Sequence, residues 1–171
     1  MKKLFLLFIL IIGTTSFAFA QKFAYINTEY ILGKIPAYKT AEDQVERLAQ
    51  QYQQEVETLY QKTDDLFKAY QAEKVLLTDD MRQRREDEIV TKEREAKDLQ
   101  RKYFGQEGNL TSKREELIKP ILDQVHSAIK AISDEGGYAI IFDTASNPSM
   151  IYTNPRYDLS DKVLEKLGYR N

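Results

Sequence analysis

The 171-residue sequence predicts an α+β protein that is mostly α: a small β body from N- and C-terminal strands, with a long antiparallel coiled-coil hairpin inserted between them. Three observations predict it. Neither Gly nor Pro occurs in the 68 residues from Ala37 to Phe104. Charged residues of both signs fill 33 of the 78 positions from Ala41 to Ile118, the composition of long helices. Short apolar, β-prone runs lie on either side of this middle, at Lys22 to Asn27 and at Tyr138 to Asp143.

At the N-terminus, Lys2 and Lys3 precede an unbroken apolar run from Leu4 to Ile12, followed by small and polar residues up to Ala18-Phe19-Ala20. This is the layout of a cleaved signal peptide over residues 1–20, with the cut between Ala20 and Gln21. The apolar run is too short to cross a bilayer as a helix. Removing residues 1–20 takes away two lysines and no acid, so 23 basic side chains face 27 acidic ones in an exported chain.

The body is expected from residues 21–36 and 119–171, and the hairpin from 37–118. In the outgoing arm Val45, Leu48, Tyr52, Val56, Leu59, Leu66 and Tyr70 follow the narrow seam of a coiled coil. The pattern breaks at Leu76-Leu77-Thr78-Asp79-Asp80, where Thr or Asp can cap a new helix and the acids suit its positive end, so the tip is placed near 77–80. The return seam runs through Ile89, Ala96, Leu99, Tyr103, Leu110 and Leu117. Glu55, Lys92, Gln106 and Lys113 occupy heptad positions, and Gly105 and Gly108 weaken the return helix, so the arms should be marginally packed and able to bend.

Pro120 is expected to kink the chain where hairpin becomes body, and the apolar stretch from Leu117 to Ile132 to form core. Gly136-Gly137 introduces the Tyr138 to Asp143 strand, and Met150-Ile151-Tyr152, between Asn147-Pro148 and Asn154-Pro155, reads as a third strand. Asp158 to Leu167, with Leu159, Val163, Leu164 and Leu167 on one face and Gly168 at its end, reads as a closing helix. Three strands make a small core that gains from association with other copies.

Composition excludes several functions. Without Cys there is no thiolate metal site, disulfide or cysteine nucleophile, and His126 alone makes no His cluster. The acidic balance argues against a nucleic-acid binder. No glycine-rich loop is placed to cradle a phosphate, and no local arrangement of Ser, His and Asp supports nucleophilic catalysis, so neither an enzyme nor a cofactor is expected. His126, in an apolar helix, reads as a structural histidine. Asn109-Leu110-Thr111 fits a glycosylation sequon by chance in what reads as mid-helix.

The order of strand, charged hairpin, strand and terminal helix resembles the OmpH/Skp family of periplasmic chaperones over essentially the whole exported chain. The residues that carry the likeness are Lys22-Phe23-Ala24-Tyr25-Ile26-Asn27-Thr28, Tyr138-Ala139-Ile140-Ile141-Phe142-Asp143, Met150-Ile151-Tyr152, and Asp158-Leu159-Ser160-Asp161-Lys162-Val163-Leu164. The resemblance implies a periplasmic homotrimer whose hairpins hang like tentacles around a cavity and hold unfolded outer-membrane proteins without ATP. Members of that family are strongly basic, whereas this chain is acidic. Arg82, Arg84 and Arg85 near the tip are interleaved with acids and read as a solvated face, so no lipopolysaccharide site is carried over.

Aromatic residues in the hairpin are the candidate client contacts. Tyr52 and Tyr103 sit on the seam and are expected to pack, while Tyr60, Phe67 and Phe104 lie beside it and are the candidates for exposed contacts with an unfolded chain. The rival reading is a structural or adaptor protein of the cell envelope that docks one folded partner on its coiled coil.

Overall fold

The computed structural model describes residues 21–147 and 149–169. The expected signal peptide, including Ala20, and Pro148 of an expected turn lie outside the described residues.

Strand β1, Lys22–Ile26, leads into a short helix α1, Thr28–Gly33, capped by the Asn27 side-chain oxygen Oδ1, which accepts from the Tyr30 N–H at 2.9 Å. Helix α2, Pro36–Glu73, then runs 38 residues without interruption, about 57 Å at 1.5 Å per residue. Pro36 stands at its start, where the missing N–H costs nothing. A single 3₁₀ turn, Lys74–Leu76, reverses the chain, and Thr78 caps helix α3, Asp79–Phe104, by accepting from the Met81 N–H. Asp79 and Asp80 occupy the first turn of α3, as the dipole argument expects.

The return arm is two helices rather than one. Helix α3 stops at Phe104, and α4, Asn109–Gly136, begins after Gly108. It continues through Pro120 into the body. Gly137, in the left-handed region at φ 65°, ends it and donates to the Ser133 carbonyl, which turns the chain straight into strand β2, Tyr138–Asp143. A 3₁₀ turn, Pro155–Tyr157, precedes the final helix α5, Ser160–Lys166.

β1 and β2 pair in parallel, with Phe23 opposite Ile140, Ala24 opposite Ile141 and Tyr25 opposite Phe142. The hairpin is therefore the crossover of one strand–helix–strand unit, which explains why the two ends of the chain must meet. Ala24 and Ile26 pack with Ile31 and Ile35, with Val125, Ala128 and Ile132 of α4, and with Leu159, Val163 and Leu164 of α5. Asp143 ties the end of β2 to α1: its carboxylate accepts from the Thr28 N–H at 3.1 Å, the Thr28 hydroxyl at 2.7 Å, the Ala145 N–H at 3.1 Å and the Ser146 hydroxyl. Burial pushes this carboxyl up, but the hydrogen bonds from Ser146, Thr28 and Ala145 outweigh that and hold it below the usual range.

One expectation is corrected and one element is new. Met150-Ile151-Tyr152 forms no strand; the described sheet has two strands, and Ile151 and Tyr152 stand 99% and 82% exposed. Its β-prone side chains have nothing in a single chain to pack against, so propensity alone does not order it. Helix α1 was not anticipated, because six residues are too short to show a helical period.

Candidate functional site

The hairpin seam is narrow. Ala41, Val45, Val56, Thr63 and Tyr70 of α2 are buried, as are Ala96 of α3 and Ile118 of α4, whereas Leu48, Leu59, Leu66, Ile89, Leu99 and Leu117 are only half-buried. Tyrosine hydroxyls fasten what the aliphatic seam leaves loose. Tyr60 donates to the Gln100 side chain at 3.0 Å, Tyr103 donates to Glu55, and Tyr70 donates to Glu86, each bond crossing from one arm to the other. Hydrogen bonding to Glu55 and then burial raise the Tyr103 hydroxyl, and the same two causes raise Tyr70 through Glu86. Glu55 is held low by the bonds from Tyr103 and Gln51.

The three candidate client residues occupy different positions. Tyr60 is half-buried and bonded across the seam, and Phe104, still exposed, meets Tyr52 edge to face with ring centroids 6.4 Å apart and planes at 90°. Phe67 is 45% exposed and lines an open cleft of about 720 Å³ with Tyr70, Ile89 and Val90 and the polar Gln71, Lys74 and Glu86. Tyr52 and Tyr103, read as packing residues, stack face to face with centroids 3.8 Å apart.

Sequence reading missed the apolar side chains nearest the tip. Val75 and Leu76 are 85% and 84% exposed on the 3₁₀ turn, and Met81 and Val90 are also exposed. Their signal was an apolar residue off the seam in a charged helix. The tip arginines are paired among their neighbours: Arg84 with Asp80 at 2.8 Å, Arg85 with Glu88 at 3.3 Å, and Arg82 with Asp79 at 3.4 Å.

A second apolar surface lies on the body. Ala24, Ile26 and Ile141 face the core, while Phe23, Ile140 and Phe142 on the other side of the sheet are exposed. With Tyr25, Tyr138, Met150, Tyr152 and Tyr157, Phe23 and Phe142 line an open cleft of about 730 Å³. Parallel strands are ordinarily covered on both faces, and in a single chain this face is only partly covered: Tyr25 is buried, whereas Phe23, Ile140 and Phe142 are exposed.

Among the described residues, no group of His, Asp and Glu could hold a metal ion, and no helix is long and apolar enough to cross a membrane. His126 is exposed on α4 rather than packed in the core, so its reading as a structural histidine is corrected. Asn109 opens α4 beside the break instead of lying mid-helix.

Residues 22–167 match the family described as Outer membrane protein (OmpH-like). The chain belongs to the OmpH-like family. Among solved structures, it is similar to a putative outer membrane chaperone (OmpH-like) from Caulobacter crescentus CB15: TM-score 0.65, 14% identity, covering 86% of this chain and 84% of that one. That likeness extends the OmpH-like fold over body and hairpin together. A search of curated proteins finds no match.

Proposed function

We propose that the protein is an ATP-independent periplasmic chaperone, a holdase that binds unfolded outer-membrane proteins and keeps them from aggregating in transit. The observation that carries this reading is the clustering of exposed apolar side chains on the distal hairpin: Phe67, Val75, Leu76, Met81 and Val90. They stand on a charged rod with a marginal seam, a surface suited to many weak contacts with a chain that keeps its entropy while bound.

The partly covered sheet face supports assembly as a homotrimer through the body, residues 21–36 and 119–171. Phe23, Ile140 and Phe142 would be covered by other copies, and the exposed Ile151 and Tyr152 are available to the same contact. The hairpins, residues 37–118, then project from one assembled body around a client. The signal peptide of residues 1–20, cleaved before Gln21, delivers the protein to the periplasm.

The test is the native mass of the purified protein, alone and after a urea-unfolded outer-membrane β-barrel protein is diluted into it. A trimer that becomes a soluble trimer-plus-client particle supports the proposal. An oligomer that leaves the client to precipitate refutes it and favours a docking role with one folded partner.

A further inference from the structure

In the middle of a helix, Asn109-Leu110-Thr111 would be a chance match to the glycosylation sequon, closed to any transferase. The structure places it elsewhere. Helix α3 ends at Phe104, and Asn109 is the first residue of α4, directly after the break at 105–108. Gln106, Glu107, Asn109, Thr111 and Ser112 are exposed, and Leu110 is half-buried. Gly108 sets the turn that presents them. Its N–H donates to the Gly105 carbonyl at 2.9 Å, and a Cβ there would lie 2.7 Å from the Tyr103 carbonyl oxygen.

The Asn109 side chain fastens nothing in the fold. Asparagine suits caps and turns, where its side-chain oxygen takes up a backbone N–H, and the other described asparagines are used in this way. Asn27 accepts from the Tyr30 N–H at 2.9 Å, Asn147 from Ser149 at 3.2 Å and Asn154 from Arg156 at 3.1 Å. Asn109 instead sits one position past the cap, Gly108, in a helix with neither a side-chain cap nor an acid in its first turn. Among the described residues, no side-chain hydrogen bond or ion pair engages Glu107, Asn109 or Thr111. The ladder of α4 begins only with the Ser112 N–H on the Gly108 carbonyl at 3.0 Å, so its uncapped first turn frays readily and can open into a transferase.

We propose that Asn109 is an N-glycosylation site, the acceptor for an oligosaccharide carried on a lipid pyrophosphate. Asn109 Nδ2 bonds to the anomeric carbon of the reducing-end sugar as the bond from that carbon to the phosphate oxygen breaks. The lipid pyrophosphate leaves with the electron pair, and the amide gives up one proton to solvent. Thr111 supplies the hydroxyl that the transferase reads two positions after the asparagine. Glu107 stands two positions before it, matching the acidic residue that bacterial transferases read in addition. Asn147-Pro148-Ser149 has the same outer residues, but the proline between them excludes it. Such transfer takes place outside the inner membrane, so the proposal rests on the reading of residues 1–20 as a cleaved signal peptide.

The test is the mass of the protein purified from the envelope of the cells that make it, intact and as the tryptic peptide from Tyr103 to Lys113. The expected result is a chain that starts at Gln21 and a peptide heavier than its sequence by a series of sugar residues, with fragmentation locating the added mass on Asn109. Asn109→Gln, Thr111→Val and Glu107→Gln should each return the peptide to its bare mass, whereas Thr111→Ser, which keeps the hydroxyl, should retain the glycan. A bare peptide on a chain that starts at Gln21 overturns the proposal and leaves the export reading standing. A bare peptide on a chain that keeps residues 1–20 overturns both. Added mass on Thr111 or Ser112 in place of Asn109 also overturns the proposal.

Discussion

Tyr70 and Glu86 lie sixteen positions apart in the sequence, yet the tyrosine hydroxyl donates to the carboxylate across the two arms just behind the tip. With Tyr103 on Glu55, this makes a seam whose strength depends on two kinds of titrating group. A tyrosine held above its ordinary value adds stability below the ordinary value, and that stability is lost as pH rises through the raised one. A glutamate held below its ordinary value adds stability above the ordinary value, lost as pH falls through the lowered one.

Arm packing should therefore be tightest between the ordinary carboxylate and tyrosine values, about pH 4.3 and about pH 10. Tyr70 and Tyr103 should form tyrosinate later than the exposed tyrosines, as followed by absorbance, and Glu55→Gln should bring Tyr103 back toward its ordinary value. Ionisation of Tyr103 together with the exposed tyrosines in the unaltered chain would contradict the bond.

Asp143 accepts four hydrogen bonds at the junction of β2 and α1. Asp143→Asn leaves one acceptor oxygen in place of two and should lower stability by about 1–3 kcal/mol. Because the carboxyl is held below its usual range, its contribution is present above about pH 3.9, its unfolded value, and fades as pH falls through the lowered one. Urea unfolding at neutral and acid pH should show the variant's deficit shrinking in acid; a deficit that is constant with pH would rule the linkage out.

Phe142 stands on the partly covered face of the sheet, away from the core. Phe142→Glu should abolish association while far-ultraviolet circular dichroism keeps its helical signal. An oligomer of unchanged mass would mean that copies meet elsewhere.

Phe67 and Tyr60 separate contact from structure within the hairpin. Phe67→Ser removes an exposed ring and should weaken holding with little change in melting temperature. Tyr60→Ser removes a bond between the arms and should lower the stability of the hairpin first, by about 1 kcal/mol. Comparable light scattering from a client protected by Phe67→Ser and by the unaltered protein would remove Phe67 from the contact surface.

The long hairpin and the two paired strands were legible because each carries its own period: the seven-residue seam from Val45 to Tyr70, and the compact apolar runs at Phe23 and Ile140. Thr78 as cap, Gly136-Gly137 ahead of β2 and Gly168 at the end of α5 were legible because each residue type suits its backbone position. The misreading at Ile151 has the opposite cause, since β propensity reports fit to a neighbouring surface and a single chain offers none there. The tyrosine bonds were hidden because a heptad reading counts Glu55 as a flaw in the seam, whereas the structure gives it a donor in Tyr103. Of the candidate contacts, the sequence could place Tyr60, Phe67 and Phe104 beside the seam, where Phe67 and Phe104 are exposed, but not show that the Tyr60 hydroxyl is bonded across the arms.

The central claim is that exposed apolar residues on the distal hairpin hold unfolded outer-membrane proteins in solution. Its most direct measurement is aggregation of a urea-unfolded β-barrel protein on dilution, with the unaltered protein and with a variant carrying Phe67→Ser, Val75→Ser, Leu76→Ser and Val90→Ser. The account predicts that the unaltered protein suppresses light scattering and that the variant, still helical and still assembled, does not. Equal suppression by both, or none by either, would contradict it.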